Sequence, residues 1–180
     1  METVETTSSK SAKTKKRPNP TTETELTASA KKRSDYELER GKPMPSFIHG
    51  ITQMRIGSAL SRLDDFMIGS EITLELNPSM TPDILIFKKR KMDFQRDEKR
   101  VAEMPLTAIE ILSGTQGMDN FDEKLPRYFE AGVQSVWLVQ PFIKTIAVFL
   151  PNQEPQVFTK GELRDPATSI SLNLDEIFKN

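Results

Sequence analysis

Asp83, Glu110 and Lys124 are the residues of this sequence whose types and surroundings could do chemistry together. Pro82-Asp83 opens the apolar run Ile84-Leu85-Ile86-Phe87, and Glu110 lies inside Leu106-Thr107-Ala108-Ile109-Glu110-Ile111-Leu112. Both acids are embedded in strand-like sequence, where a charge is costly unless it is paired or binds a metal. Lys124 follows after a loop, at the start of a helical segment. Two carboxylates on adjacent strands could hold Mg²⁺, or Mn²⁺ in its place, because such an ion keeps several waters and needs only one or two protein carboxylates. The chemistry that follows is metal-assisted phosphodiester hydrolysis. A bound ion polarises a phosphoryl oxygen and lowers the pKa of a bound water. A lysine beside the phosphate stabilises charge developing in the transition state. Plainer readings exist for each residue: Asp83 as a turn cap, Glu110 as the exposed-face residue of a half-buried strand, and Lys124 as a helix-surface lysine.

The elements that must position these groups are legible in the spacing of apolar residues. Ser46 can cap a helix, and Ile48, Ile51, Ile56, Ala59, Leu60, Leu63 and Met67 recur near helical spacing, which predicts an amphipathic helix over 47–66. His49 falls in its first turn and reads as a hydrogen-bonded structural group, since no carboxylate-His-nucleophile pattern accompanies it. Glu71 to Leu76 alternates as a half-buried strand does, Asn77-Pro78-Ser79-Met80 is turn chemistry, and Thr81 to Phe87 should return antiparallel, with Asp83 beside the turn. The basic run Lys88-Lys89-Arg90-Lys91 continues that strand and reads either as phosphate contact next to the acids or as a solvated charge cluster. Phe121, Leu125, Tyr128 and Phe129 define a helix face that should stop at Gly132. Pro126 predicts that this helix begins only shortly before it, with Lys124 in or just before the first turn. Ser135 to Val139 is a further buried strand, which the crossover helix should place parallel to the Glu110 strand. Thr145 to Leu150 and Gln156 to Thr159 read as a meander at one sheet edge, and Leu174 to Phe178 as a short amphipathic piece. The order implies an α/β (α+β) fold with a mixed central sheet, helices packed on it and a C-terminal strand extension.

Composition sets the class. The chain has 180 residues, a net charge of −1 and no cysteine. A disulfide framework and a thiolate metal site are excluded, and the absence of cysteine agrees with a reducing cytoplasm. No apolar run approaches the ~20 residues of a membrane span, and the polar N-terminus has no signal-peptide core, so a soluble cytoplasmic protein without membrane contact is expected. Residues 1–33 hold almost no large apolar groups and carry the basic clusters Lys13-Thr14-Lys15-Lys16-Arg17 and Lys31-Lys32-Arg33. Such a segment cannot bury enough surface to offset its chain entropy, so a disordered tail is expected, followed by a domain over 34–180. A bend at Gly41 separates Tyr36-Glu37-Leu38 from Pro43-Met44-Pro45 and suggests a hairpin.

The segments Tyr36-Glu37-Leu38-Glu39-Arg40-Gly41, Pro82-Asp83-Ile84, Ile109-Glu110-Ile111-Leu112-Ser113, Glu123-Lys124-Leu125-Pro126-Arg127-Tyr128, Ala131-Gly132-Val133 and Trp137-Leu138-Val139 occur in this order. Together they resemble the Uma family of restriction-endonuclease-like proteins, within the PD-(D/E)XK nuclease superfamily, over about residues 34 to 178. The resemblance implies a restriction-endonuclease-like αβββαβ core, Mg²⁺ held by Asp83 and Glu110, and DNA as the substrate. The superfamily lysine lies two residues after the second acid, where this chain has Leu112, and Lys124 is its natural replacement. Gln140 departs from the family's usual Asp. The expected function is therefore a Mg²⁺-dependent DNA endonuclease. The alternative is a catalytically inactive nucleic-acid or protein-binding module on the same fold. Enzymes that cut both strands commonly act as pairs, and the edge strands after Val139 could join two copies as a homodimer.

Overall fold

A computed structural model describes residues 45–113 and 118–179, all within one compact unit, Met44–Asn180. The expected N-terminal tail and the hairpin around Gly41 lie outside the described residues. Helix α1 (Phe47–Leu60) starts as its sequence suggests, with the Ser46 hydroxyl accepting from the His49 amide at 3.2 Å. It stops earlier than the apolar spacing implies. Asp64 and Asp65 would put negative charge at the negative end of the helix dipole, and the chain turns out at Ser61.

The first strand also differs from expectation. Strand β1 is Phe66–Ser70, not Glu71–Leu76, and it pairs antiparallel with β2 (Ile84–Lys88) in the register Phe66↔Lys88 to Ser70↔Ile84. The alternating stretch after it buries Leu74 and exposes Glu75, but its backbone serves loop bridges. The Leu74 amide donates to Met80 O at 2.8 Å and the Glu75 amide to Val101 O at 2.9 Å. Alternation there reports burial and not a ladder. The Asn77–Pro78 peptide within this connection is cis.

Strand β3 (Thr107–Ile111) pairs antiparallel with β2 and parallel with β4 (Ser135–Gln140). Helix α2 (Asp119–Glu130) makes the crossover between β3 and β4. It ends in a Schellman motif, with the Gly132 amide on Phe129 O and the Val133 amide on Tyr128 O, both at 3.0 Å. Gly132 has φ +96°, a conformation that glycine adopts without Cβ strain. Pro126 lies inside the helix and not in its first turn. The bond it cannot make belongs to the carbonyl of Asp122, and both residues are on the exposed side, where water can satisfy that carbonyl. Lys124 therefore sits one turn deeper than the proline suggested.

The meander follows as read: a 3₁₀ turn (Pro141–Ile143), β5 (Thr145–Phe149) and β6 (Gln156–Phe158) complete a six-stranded sheet of order β1-β2-β3-β4-β5-β6. A small hairpin, β7 (Glu162–Arg164) and β8 (Ser171–Asn173), was not foreseen; the short helix α3 (Leu174–Ile177) was. The sheet separates two cores. One packs α1, the hairpin and α3 on Ile84, Ile86, Ile109, Ile111 and Trp137. The other packs α2 on Leu85, Phe87, Ala108, Val136 and Leu138.

One buried carboxylate ties the C-terminal hairpin to the sheet. Asp165, with 0% exposure, accepts from the Trp137 indole at 2.8 Å, the Ala167 amide at 2.9 Å and the Ser135 hydroxyl, which in turn lies 2.8 Å from the Thr107 hydroxyl. Hydrogen bonds to a charged acceptor each contribute about 1.5–3 kcal/mol, and orphaning their donors adds desolvation cost. Asp165→Ala should therefore destabilise the fold by at least about 3 kcal/mol, read by urea unfolding with the fluorescence of Trp137, the single tryptophan. An unchanged midpoint would mean that the hairpin is held by its apolar contacts alone.

Candidate active site

The register of β2 against β3 pairs Ile84 with Ile109, so the next residues outward, Asp83 and Glu110, face each other across the two strands. Side chains alternate along a strand. Ile84 and Ile109 point to the α1 core, so Glu110 points to the opposite face, where Lys124 and Tyr128 of α2 meet it; Asp83, one residue ahead of β2, is reached by His49 of α1. Both acids are buried, at 5% and 8% exposure.

Each carboxylate is fixed by its own set of donors. Asp83 Oδ2 accepts from the Ile111 amide at 2.7 Å, and its Oδ1 lies 3.5 Å from His49 Nε2. The carbonyl of Asp83 accepts from Gln53 Nε2 at 3.0 Å and the Glu71 amide at 3.2 Å. The same Gln53 nitrogen donates to the Ser70 hydroxyl at 2.6 Å, which joins α1 to the end of β1 beside the acid. Glu110 is gripped from α2: Lys124 Nζ donates to Oε1 at 2.9 Å and to Oε2 at 3.0 Å, and the Tyr128 hydroxyl donates to Oε1 at 2.5 Å. Lys124 and Tyr128 are four residues apart and so project from one helix face. Burial, reinforced by the negative charge of Glu110, pushes the Tyr128 phenol far above its ordinary pKa, so it remains a donor.

The structure thus brings Asp83, Glu110 and Lys124 together, as the sequence suggested. The basic run does not join them. Lys88 ends β2, whereas Asp83 precedes its first residue, so strand rise puts the two about 16 Å apart. Its members serve the loop: Lys89 Nζ donates to Asp64 O at 2.7 Å, and the Arg90 guanidinium lies 3.2 Å from Glu98 and 3.4 Å from Glu103. Two residues at the site went unassigned in the sequence. His49 was read as structural, yet it stands beside Asp83. Tyr128 was read as part of an apolar helix face; its spacing of four from Lys124 is the signal that places its hydroxyl on the same carboxylate.

Among the described residues, no group of three or more His, Cys, Asp or Glu side chains is placed to hold a metal ion. The donors present do fit a hard divalent cation that keeps most of its waters, because two carboxylates with oxygen donors suffice for it. They do not form a cage that surrounds an ion with protein ligands.

Comparison with known proteins bears on this geometry. A family model described as "Putative restriction endonuclease" (Uma2) matches residues 23–175. No curated protein matches the sequence. A similar solved structure is described as a "putative nuclease belonging to DUF820 from Anabaena variabilis ATCC 29413", with a TM-score of 0.65 and 24% identity over 76% of this chain and 83% of that chain. A likeness at this identity shows a shared fold. Among the described residues, no helix is long and apolar enough to cross a membrane.

The Lys124–Glu110 pair makes a prediction about stability. Lys124→Met keeps most of the apolar stem and removes the ammonium from which both Glu110 oxygens accept, leaving a buried acid without its cation. Removing one partner of a fully buried pair costs about 3–5 kcal/mol, and the 25% exposure of the Lys124 side chain reduces this. The variant should unfold at a lower urea midpoint, with a loss of about 1 kcal/mol or more. An unchanged midpoint would mean that the ion pair adds nothing to the stability of the fold.

Proposed function

This chain belongs to the Uma2 family of restriction-endonuclease-like proteins, and on that premise we propose that it is a Mg²⁺-dependent endonuclease that hydrolyses DNA phosphodiester bonds with Asp83, Glu110 and Lys124. The family and the nuclease-like fold support a nuclease. The observation that carries the finer reading is Lys124 Nζ at 2.9 Å from the Glu110 carboxylate, next to the Ile111 amide that holds Asp83. It supports Lys124 as the replacement for the lysine that the superfamily places where this chain has Leu112. The alternative, an inactive binding module, draws its support from Leu112; another lysine on the same acid favours the nuclease.

Asp83 and Glu110 would hold the cation, Mg²⁺ or Mn²⁺, as expected of a family that generally uses divalent metals. Bound there, the ion supplies a polarised phosphoryl oxygen and a bound water of lowered pKa. The chain's own groups do the rest. The Ile111 amide fixes the Asp83 carboxylate through Oδ2. Lys124 holds both oxygens of Glu110, and because an ammonium has three donors it retains one beyond these two contacts. Aimed at a non-bridging phosphate oxygen, that donor stabilises the charge that develops on the phosphorane-like transition state. Strands β2 and β3 give the acids positional precision that loops lack. The setting we propose is cytoplasmic. A homodimer would use β6, which ends the sheet and leaves Val157 61% exposed.

Supercoiled plasmid incubated with Mg²⁺ or Mn²⁺ tests the reading. Wild type should nick or linearise it, Asp83→Ala should fall to background, and Lys124→Met should slow cleavage by about 10²-fold. Failure of the wild type on supercoiled, linear and single-stranded DNA with either ion would overturn it, as would variants that cut at the wild-type rate.

A further inference from the structure

We propose that Tyr128 is a positioning residue for the metal site, acting through Glu110: its hydroxyl caps Oε1 and leaves Oε2 as the oxygen that takes the cation. This rests on the endonuclease reading to the extent that a divalent ion binds there. The two oxygens of Glu110 are unequally occupied. Among the described residues, Oε1 accepts from both Tyr128 at 2.5 Å and Lys124 at 2.9 Å, whereas Oε2 accepts from Lys124 alone at 3.0 Å. A carboxylate oxygen has about two lone-pair sites, so Oε1 is full and Oε2 retains one. Tyr128 has no exposed surface and is packed in the α2 core with Phe121, Leu138 and Val133. Its ring cannot swing away without opening that core, so the cap is held by packing.

The arrangement separates two roles on one helix. Lys124, 25% exposed at the side chain, can turn toward a phosphate. Tyr128, four residues on and fully buried, cannot turn, and it keeps Glu110 in one rotamer whether or not Lys124 leaves. Partners that orient metal-binding carboxylates typically affect metal affinity or activity by about 10–100-fold when removed. A tyrosine that merely satisfies a buried acid would change stability and leave metal affinity where it was.

Binding of Mn²⁺ alone, followed by the loss of free-ion EPR signal, separates these roles without requiring DNA cleavage. Tyr128→Phe keeps the ring and removes the donor. Its Mn²⁺ midpoint should rise by about tenfold or more, and cleavage should lose kcat with KM for DNA unchanged. An Mn²⁺ midpoint equal to that of the wild type would overturn the proposal. In case the variant does not fold, the wild type carries a second measurement. It has two tyrosines, so with ¹³C-labelled tyrosine the Tyr128 ring resonance can be followed through a Mg²⁺ titration. It should shift with the midpoint of metal binding, and an unmoved resonance would overturn the proposal. If the wild type binds no Mn²⁺, this inference and the metal-dependent reading fall together. If it binds Mn²⁺ and cuts no DNA, the nuclease reading alone falls and the Tyr128 comparison still stands or fails on its own midpoint.

Discussion

Two carboxylates buried on neighbouring strand segments are an electrostatic liability, and the surroundings of Asp83 and Glu110 answer it. Removing a carboxylate from water costs several kcal/mol unless donors replace the lost solvent. A main-chain amide and the neighbouring His49 address Asp83, and an ammonium and a phenol address Glu110. The donors come from opposite sides of the sheet. Helix α1 serves Asp83 and its carbonyl through His49 and Gln53, while α2 serves Glu110 through Lys124 and Tyr128. The pair of acids is therefore the point at which both helical layers meet the strands.

This explains why the helix positions are tightly specified. The Ser46 cap sets where α1 begins and hence which of its turns reaches Asp83. The Schellman motif at Gly132 sets where α2 ends and hence the rotation that puts Lys124 and Tyr128 over Glu110. Pro126 between them faces water, so it stiffens the helix without disturbing the clamp. Parallel pairing of β3 with β4 obliges the chain to cross over between them, and α2 makes that crossing.

Much of this was legible in the sequence because it depends on local periodicity. The succession of helix, three strands, helix and strand followed from apolar spacing, and Glu110 stood out as one charge in a run of buried residues. What the sequence misplaced depended on partners distant in the chain. Leu63 and Met67 continue the helical spacing of α1, so the start of β1 was absorbed into the helix; only pairing with β2 claims Phe66 to Ser70 as a strand. Glu71 to Leu76 alternates like a strand, yet Val101 and Met80 take its backbone bonds. Pro126 marks a helix start only if its side of the helix is buried. Tyr128 carries an apolar ring and a polar tip, and spacing alone sees the ring.

The dependence of the α1-side core on Leu163, Ile170, Leu172, Leu174 and Ile177 has a consequence for the order in which the molecule can be made. Synthesis delivers α1 and the four central strands first, yet the part of the apolar face that the hairpin and α3 pack on stays uncovered until the segment from Leu163 onward leaves the ribosome. At about 5–20 residues per second that interval spans seconds, during which Ile84, Ile109 and Trp137 await their cover. A nascent chain of this kind holds apolar sheet surface in water until that segment arrives, which is the condition in which incomplete folds aggregate.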